Sequence, residues 1–359
     1  MKVAFVHEYL NQFGGAERVL RVLCDMFPHA PIYTLLYDEK ATKGIFKDRY
    51  IITSSLQKFP FSVTHHQFYP LVMPLAIEQF DFSSYDLVIS LSASFAKGVV
   101  TKPHTKHICY CLTPPRFLWD NSQKFVEEFG YPWIIRRLLP PFLSYLRMWD
   151  YEASRRVDHF LSISHFVKQR VSKYYQRDSL VIHPPVDTDF FQASKESGEY
   201  FLMVGRLVTY KKFDVAIKAF NQLSLPLYIA GVGPQLKHLK KIAGPRIKFL
   251  GSVSDEEIKD LYAKSKALIF PQEEDFGIVP LEAMASGKPV IAFRGGGAME
   301  TVNDRETGLF FDEQNEASLI KAVKQFESME FNPDACRKQA EGFSISSFQK
   351  KFNDAISKL

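Results

Sequence analysis

Cysteine is scarce in this chain: Cys24, Cys109, Cys111 and Cys336 are the four in 359 residues, unevenly placed and without a Cys-x-x-Cys pair. That usage excludes a disulfide scaffold and fits a reducing, cytoplasmic setting. Cys109 and Cys111 stand two apart on an expected strand and so share a face, which suits reduced packing thiols rather than a metal site. Long apolar runs are missing too. No stretch approaches the ~20 residues that cross a bilayer, and the first apolar run is brief and carries His7 and Glu8, so neither a membrane span nor a secretory leader is expected. Short repeats and low-complexity tracts are absent, and no Gly-x-Gly-x-x-Gly follows an expected strand, which disfavours a nicotinamide oxidoreductase. The net charge is only +5 and no nucleic-acid-binding module is recognisable, so nucleic acid is not an expected partner.

What is present is enough apolar material, 46% of 359 residues, for two packed α/β cores. Strand-like runs at Val3 to His7, Asp86 to Ser90, Lys106 to Tyr110, His159 to Ile163 and Leu180 to His183 alternate with helical patterns. A break follows at Pro184-Pro185 and the polar Gln192 to Glu199. The alternation resumes through Phe201 to Val204, Leu227 to Ala230, Ile247 to Leu250, Ala267 to Phe270 and Pro289 to Phe293. Strands this apolar, separated by helices, predict parallel sheets covered on both faces. The expected organisation is α/β: a Rossmann-like doubly wound domain over 1–184, a linker over 185–199, a second such domain over 200–340, and a C-terminal helix over 341–359 that crosses back to the first.

Three segments carry chemistry. In Glu274-Asp-Phe-Gly-Ile-Val-Pro-Leu-Glu282, two carboxylates stand eight positions apart, across a loop that leaves one strand and enters a helix with Pro280 in its first turn. Gly277 and its neighbouring backbone N–H groups open that helix, where a phosphate is favoured. Read alone, the pair also fits a solvated acidic loop. Gly205-Arg-Leu-Val-Thr-Tyr-Lys-Lys212 follows another strand, so Arg206 reaches a diphosphate by bidentate bonding and Lys211 as a point charge, with Lys212 beside them; a basic turn in solvent is the alternative. At the N-terminus Gly14-Gly15 opens a helix after the first strand, as a ligand-approaching loop or a plain tight turn. Each motif follows a strand, and ligands of such sheets gather at the strands' carboxyl ends, so the two domains are expected to face a central cleft.

Together these motifs resemble the family-four glycosyltransferases, retaining enzymes of the GT-B architecture. The likeness runs nearly end to end, through GGAERV at Gly14, SISHFVKQRV at Ser162, HPPVDTDFF at His183, GRLVTYKK at Gly205, EEDFGIVPLEAMASGKPVIA at Glu273 and GGGAMETVNDRETGLFF at Gly295. The resemblance implies that Glu274 contacts the donor sugar's hydroxyls, that Glu282 contacts the nucleotide ribose, that Arg206 and Lys211 neutralise the donor diphosphate, and that the Gly14-Gly15 loop closes over it. Catalysis then rests on Glu274, Arg206 and Lys211. Gly14, Gly15, Lys212, Phe276, Gly277, Ile278, Val279 and Glu282 bind the nucleotide sugar, with no metal or other cofactor required. One departure stands out: many relatives carry a His in the segment matching Tyr110 to Asp120, and here that place is Leu112. By likeness to the same segment, Arg116, Trp119 and Asp120 line the acceptor side. His165 is a further candidate there, although a His near a strand end or helix start, like His7, is more often a cap or core residue.

Glycosidase chemistry does not suit the two glutamates. Retaining glycosidases need facing carboxylates about 5 Å apart, and a loop Glu with a helix Glu eight positions on does not provide that. Stabilisation of a departing nucleoside diphosphate by Arg206, Lys211 and helix N-terminal amides is the economical mechanism. The YCLTPPRFLWD and GRLVTYKKFD forms look like bacterial mannosyltransferases of O-antigen and exopolysaccharide assembly. They imply GDP-mannose as donor and a glycan acceptor, polyisoprenoid-linked. A sugar-nucleotide epimerase on the same architecture and a non-catalytic glycan-binding protein are the alternatives. Charge is unequal: residues 1–180 hold 22 Lys and Arg against 16 Asp and Glu. Trp133 to Arg156 interleaves aromatics with Arg136, Arg137 and Arg147, a pattern that fits core packing or an anionic membrane surface. Pro140-Pro141 is expected to divide it into two short helices. The resulting location is the inner face of the cytoplasmic membrane, held peripherally.

Overall fold

The architecture comes from a computed structural model, which describes residues 1–120, 133–194, 196 and 198–358, with the side chains of the helix beginning at Trp133 described from Leu139 onward. The chain divides into two compact units, Met1–Ile182 and His183–Leu359. The first holds β1 (Val3–Leu10), β2 (Ile32–Tyr37), β3 (Ile51–Thr53), β4 (Leu87–Ser92), β5 (Lys106–Cys111), β6 (His159–Ser162) and β7 (Ser179–Val181). These pair in the order β3-β2-β1-β4-β5-β6-β7, every neighbouring pair parallel. The second holds β8 (Phe201–Val204), β9 (Leu227–Ala230), β10 (Ile247–Gly251), β11 (Leu268–Phe270), β12 (Val290–Phe293) and β13 (Gly308–Phe311), in the order β10-β9-β8-β11-β12-β13, also parallel. Both are doubly wound sheets. The strand order reverses between β1 and β4 in one and between β8 and β11 in the other, which marks the ligand crevice of each.

Burial accounts for the fit between pattern and strand. All six residues of β4 are buried, as are Leu268, Ile269 and Phe270 of β11, because helices cover both faces of each sheet. The helix Phe213–Leu223 closes the second core with Phe213, Ala216, Ile217, Ala219 and Phe220 against Ile229, Ile269 and Ile291. Three strands had no sequence expectation. β3 has only three residues, β13 opens on Gly308, and β2 lies just past Pro31, so none shows a usable period.

The segment around Trp133 differs from expectation. A single helix, Trp133–Arg155, runs through Pro140 and Pro141 instead of breaking into two. A proline inside a helix forfeits its own backbone bond, at about 3 kcal/mol. Beyond the prolines, Leu143, Leu146, Asp150 and Ala153 are all buried, and that packing holds the helix through them. Leu143 and Leu146 belong to the core of the first unit, and Trp149 donates to Glu78 at 2.8 Å, so this part of the stretch is structural. The side chains of Trp133 to Leu138, including Arg136 and Arg137, lie outside the described residues.

The segment following Pro185 is strapped to the second unit. The Val186 amide donates to Phe343, and the Arg337 guanidinium donates to the carbonyls of Thr188 and Phe191. The C-terminal helix, Ile345–Ile356, falls in that unit as well.

Candidate active site

The site in the second unit forms at the β8/β11 switch point. Past Val204 the chain passes through Gly205 and the exposed Arg206 to a short 3-10 turn, Thr209–Lys211, after which Lys212 (φ +55°) turns it into the helix Phe213–Leu223. Past Phe270 it passes through Gln272 and Glu274 to Gly277 (φ +86°), which opens the helix Ile278–Ala285. The two loops meet: Lys211 Nζ donates to Glu274 Oε1 at 2.5 Å, and Gln272 Nε2 donates to the same oxygen at 3.3 Å. Burial works against the Lys211 charge, but the Glu274 carboxylate outweighs it and holds the ammonium above its ordinary range, while the nearby Arg206 charge opposes. Cation, second cation and carboxylate therefore converge where a doubly wound sheet takes its ligand.

Glu282 is buried in the helix Ile278–Ala285 and accepts the Tyr262 hydroxyl at 2.9 Å. Ile278 and Val279 form the first turn, where free amides favour an anion. The buried Phe276 ring stacks on His183, with centroids 5.4 Å apart. Loop closeness here requires glycine. The Gly297 amide donates to the Glu274 carbonyl at 2.8 Å, and a Cβ on Gly297 would sit 2.2 Å from Phe276 Cα. Likewise a Cβ on Gly231, after β9, would meet the Gly205 carbonyl oxygen at 1.9 Å.

In the first unit the expected residues also follow strand carboxyl ends. Gly14 and Gly15 begin the helix Gly15–Met26 after β1, and Glu17 fixes that start by accepting the Gly14 amide at 2.7 Å. Glu17 in turn meets His7 Nε2 at 3.3 Å, both side chains being buried. Burial disfavours the His7 imidazolium, yet the Glu17 bond and charge, with Glu8, hold it above its ordinary value; Glu17, likewise desolvated, is held below its own by His7. Arg116 opens the turn Arg116–Trp119 past β5, just after Leu112, and exposed His165 opens the helix His165–Tyr175 past β6. Trp119 donates to Asp150 at 2.8 Å, and Asp120 binds Arg170 and the Tyr174 hydroxyl, so these two hold segments of the unit together.

Several site residues escaped sequence reasoning. Gln272, buried beside Glu274, has no motif of its own, and Glu17 as the partner of His7 is visible only once β1 and its following helix are folded. Glu8 Oε1 accepts the Ser92 hydroxyl and the amides of Ala93, Ser94 and Ala96 at 2.8 to 3.1 Å, pinning the loop after β4 to β1. The Gly231-Val-Gly233 pair after β9 was the one available signal for that loop's close approach.

The second unit is thus a doubly wound α/β domain with two cations and a carboxylate at its switch point, where such sheets take a ligand. The chain belongs to the family-four glycosyltransferases of the GT-B fold. The "Glycosyltransferase Family 4" profile matches residues 13–190 and the "Glycosyl transferases group 1" profile residues 185–343. It is 32% identical, over 50% of its length and 53% of the relative's, to the O-antigen chain mannosyltransferase RfbU of Salmonella typhimurium. It is 31% identical, over 45% of its length and 51% of the relative's, to the GDP-mannose-dependent alpha-(1-6)-phosphatidylinositol monomannoside mannosyltransferase of Mycobacterium tuberculosis. The matched regions thus span about half the length of these curated relatives. The structure of Anabaena HepE with UDP superposes with a TM-score of 0.74 at 17% identity, covering 100% of both chains, which shows the shared fold.

Proposed function

We propose that this chain is a retaining mannosyltransferase that moves mannose from GDP-mannose onto a lipid-linked glycan acceptor, working peripherally at an anionic membrane surface on the cytoplasmic side. The observation that carries the transfer is the meeting of Lys211 with Glu274 beside Arg206 at the β8/β11 switch point. Arg206 and Lys211 neutralise the leaving diphosphate together with the first-turn amides of Ile278 and Val279. Glu274, released from Lys211 when the diphosphate takes that cation, accepts the donor sugar's hydroxyls, and Glu282 takes the ribose. By the family likeness Gly14 and Gly15 are assigned to nucleotide-sugar binding, Lys212 shapes the loop, and no metal takes part. Acceptor contacts fall to Arg116, Trp119, Asp120 and His165, which follow the carboxyl ends of β5 and β6.

The donor assignment draws on the printed activity of the mycobacterial relative, and the surface-glycan acceptor on the O-antigen relative. The membrane assignment draws on the basic excess of residues 1–180 and on exposed Phe142, Tyr145 and Met148 of the helix Trp133–Arg155. No helix among the described residues is long and apolar enough to cross a membrane. The test is calorimetry with GDP, UDP, ADP and dTDP, followed by incubation with GDP-mannose and a mannoside acceptor. Preferred GDP binding and GDP release with a new α-mannoside support the reading. Preferred UDP binding overturns the donor, and an isomerised donor without GDP release makes the protein an epimerase.

A further inference from the structure

The first unit contains a cavity of about 520 Å³ that the donor chemistry does not use, within the ~300–1,000 Å³ range of small-molecule sites. Its wall is hydrocarbon: Phe68, Leu71, Phe117, Phe142, Leu143 and Leu146 all contribute. Of its four polar members, Tyr9, His66, Gln67 and Ser94, the first two are already engaged. Tyr9 donates its hydroxyl to Met73 Sδ at 2.8 Å, and its ring stacks on His66 at 4.4 Å, while His66 Nδ1 meets the Asn11 amide at 3.1 Å. The apolar members outnumber the polar ones, so an occupant gains chiefly from apolar burial. Position narrows the choice. Tyr9 lies at the carboxyl end of β1, Ser94 and Phe95 follow β4, and Phe117 follows β5, so the cavity opens at the switch-point end of the sheet, the same end as Gly14, Arg116 and His165. Around its mouth Phe68 is 62% exposed, Leu71 42% and Phe142 44%, a large apolar rim on a unit with a basic excess.

We propose that this cavity binds the first isoprenyl units of a lipid-linked acceptor, drawing the phosphate-proximal part of the chain out of the bilayer so that its glycan reaches the Arg116 and His165 end of the sheet. The inference rests on the lipid-linked acceptor of the proposed function and adds a site for the lipid itself. An isoprenyl phosphate matches both features, hydrocarbon for the wall and an anion for the basic unit, whereas a free sugar matches neither.

The probe is a benzophenone-bearing farnesyl monophosphate, photolysed with the full chain below its critical micelle concentration and mapped by peptide mass spectrometry. Labelling is expected to saturate, to fall within Phe68–Met73 or Phe142–Leu146, and to be competed by unlabelled farnesyl monophosphate but not by an equal lipid concentration of phosphatidylglycerol vesicles. Leu71→Trp, which narrows the mouth, and Phe142→Ser, which removes part of the wall, are each expected to cut labelling at least tenfold, with GDP affinity and the melting curve as checks on folding. Adducts elsewhere, labelling unchanged in both folded variants, or equal displacement by the vesicles overturns the site. If the probe labels nowhere while GDP-mannose is still turned over on a water-soluble mannoside, the cavity assignment fails and the transferase reading stands. Saturable labelling of the cavity by a protein that ignores GDP-mannose supports the cavity and removes the donor reading.

Discussion

Replacing Lys211 with Ala separates an ion pair that merely holds two loops from one that serves catalysis. In the structure Lys211 Nζ lies 2.5 Å from Glu274 Oε1, with side-chain exposures of 11% and 19%, between the exposed and fully buried regimes. Exposed pairs contribute ~0–1 kcal/mol, and removing one partner of a fully buried pair costs ~3–5 kcal/mol. Glu274 keeps its bond from Gln272, so Lys211→Ala is expected to cost ~1–3 kcal/mol in stability. Catalysis should lose more. Removing one charge-assisted donor from a developing anion costs ~3–4 kcal/mol, or two to three decades in kcat/KM. Glu274→Ala should lose comparable activity by a different route, through the sugar hydroxyls, while GDP affinity stays nearly intact. The decisive arm is the double variant. If the pair is only a tie between loops, Lys211→Ala/Glu274→Ala recovers activity, since no charge is stranded. If each residue meets its own part of the donor, the double variant is at least as impaired as either single one. Thermal melts and a coupled GDP-release assay measure both quantities, and wild-type turnover by Lys211→Ala, or recovery in the double variant, refutes the reasoning.

Glu282→Ala should weaken GDP by ~1.5–3 kcal/mol, through a lost hydrogen bond to a charged acceptor, and lower the melting temperature because Tyr262 loses its acceptor; calorimetry in which Glu282→Ala and Glu274→Ala weaken GDP equally would show the two roles misassigned. Gly297→Ala should cost ~1–3 kcal/mol by overpacking, because its Cβ would meet Phe276 Cα at 2.2 Å, and should reduce kcat/KM with the circular dichroism spectrum unchanged. The His7–Glu17 pair sets a pH window for stability. His7, raised from 6.5, contributes fully below that pH and is lost as pH rises through its folded value, whereas Glu17, lowered from 4.5, contributes above that pH and is lost as pH falls through its folded value. Glu17→Gln should therefore lower the melting temperature within that window and flatten its fall above pH 6.5, and an unchanged profile would sink the assignment. Wild-type protein should sediment with anionic liposomes at low salt and be released by salt; no sedimentation would leave the helix Trp133–Arg155 as core alone.

The sequence alone determined the class of the fold and the place of its motifs after strand ends. Fully buried parallel strands such as β4 and β11 announce themselves as apolar runs, because both faces need hydrocarbon. Likewise Arg206, Lys211 and Glu274 sit beside strand ends that periodicity can locate. Tertiary structure decided the rest. β3 is only half-buried along its length and β13 opens on Gly308, so neither reads as a fully apolar run, and they exist because a neighbouring strand offers its edge. The helix Trp133–Arg155 passes through two prolines because burial of Leu143, Leu146 and Ala153 exceeds the local backbone penalty, a balance no local rule contains. Pairing of Lys211 with Glu274, 63 residues apart, depends on loops from separate strands meeting, and pairing of His7 with a buried Glu17 depends on β1 and its following helix packing together. So does the cavity between Tyr9, Phe68 and Leu143, which is empty space defined by packing and leaves no mark on the order of residues.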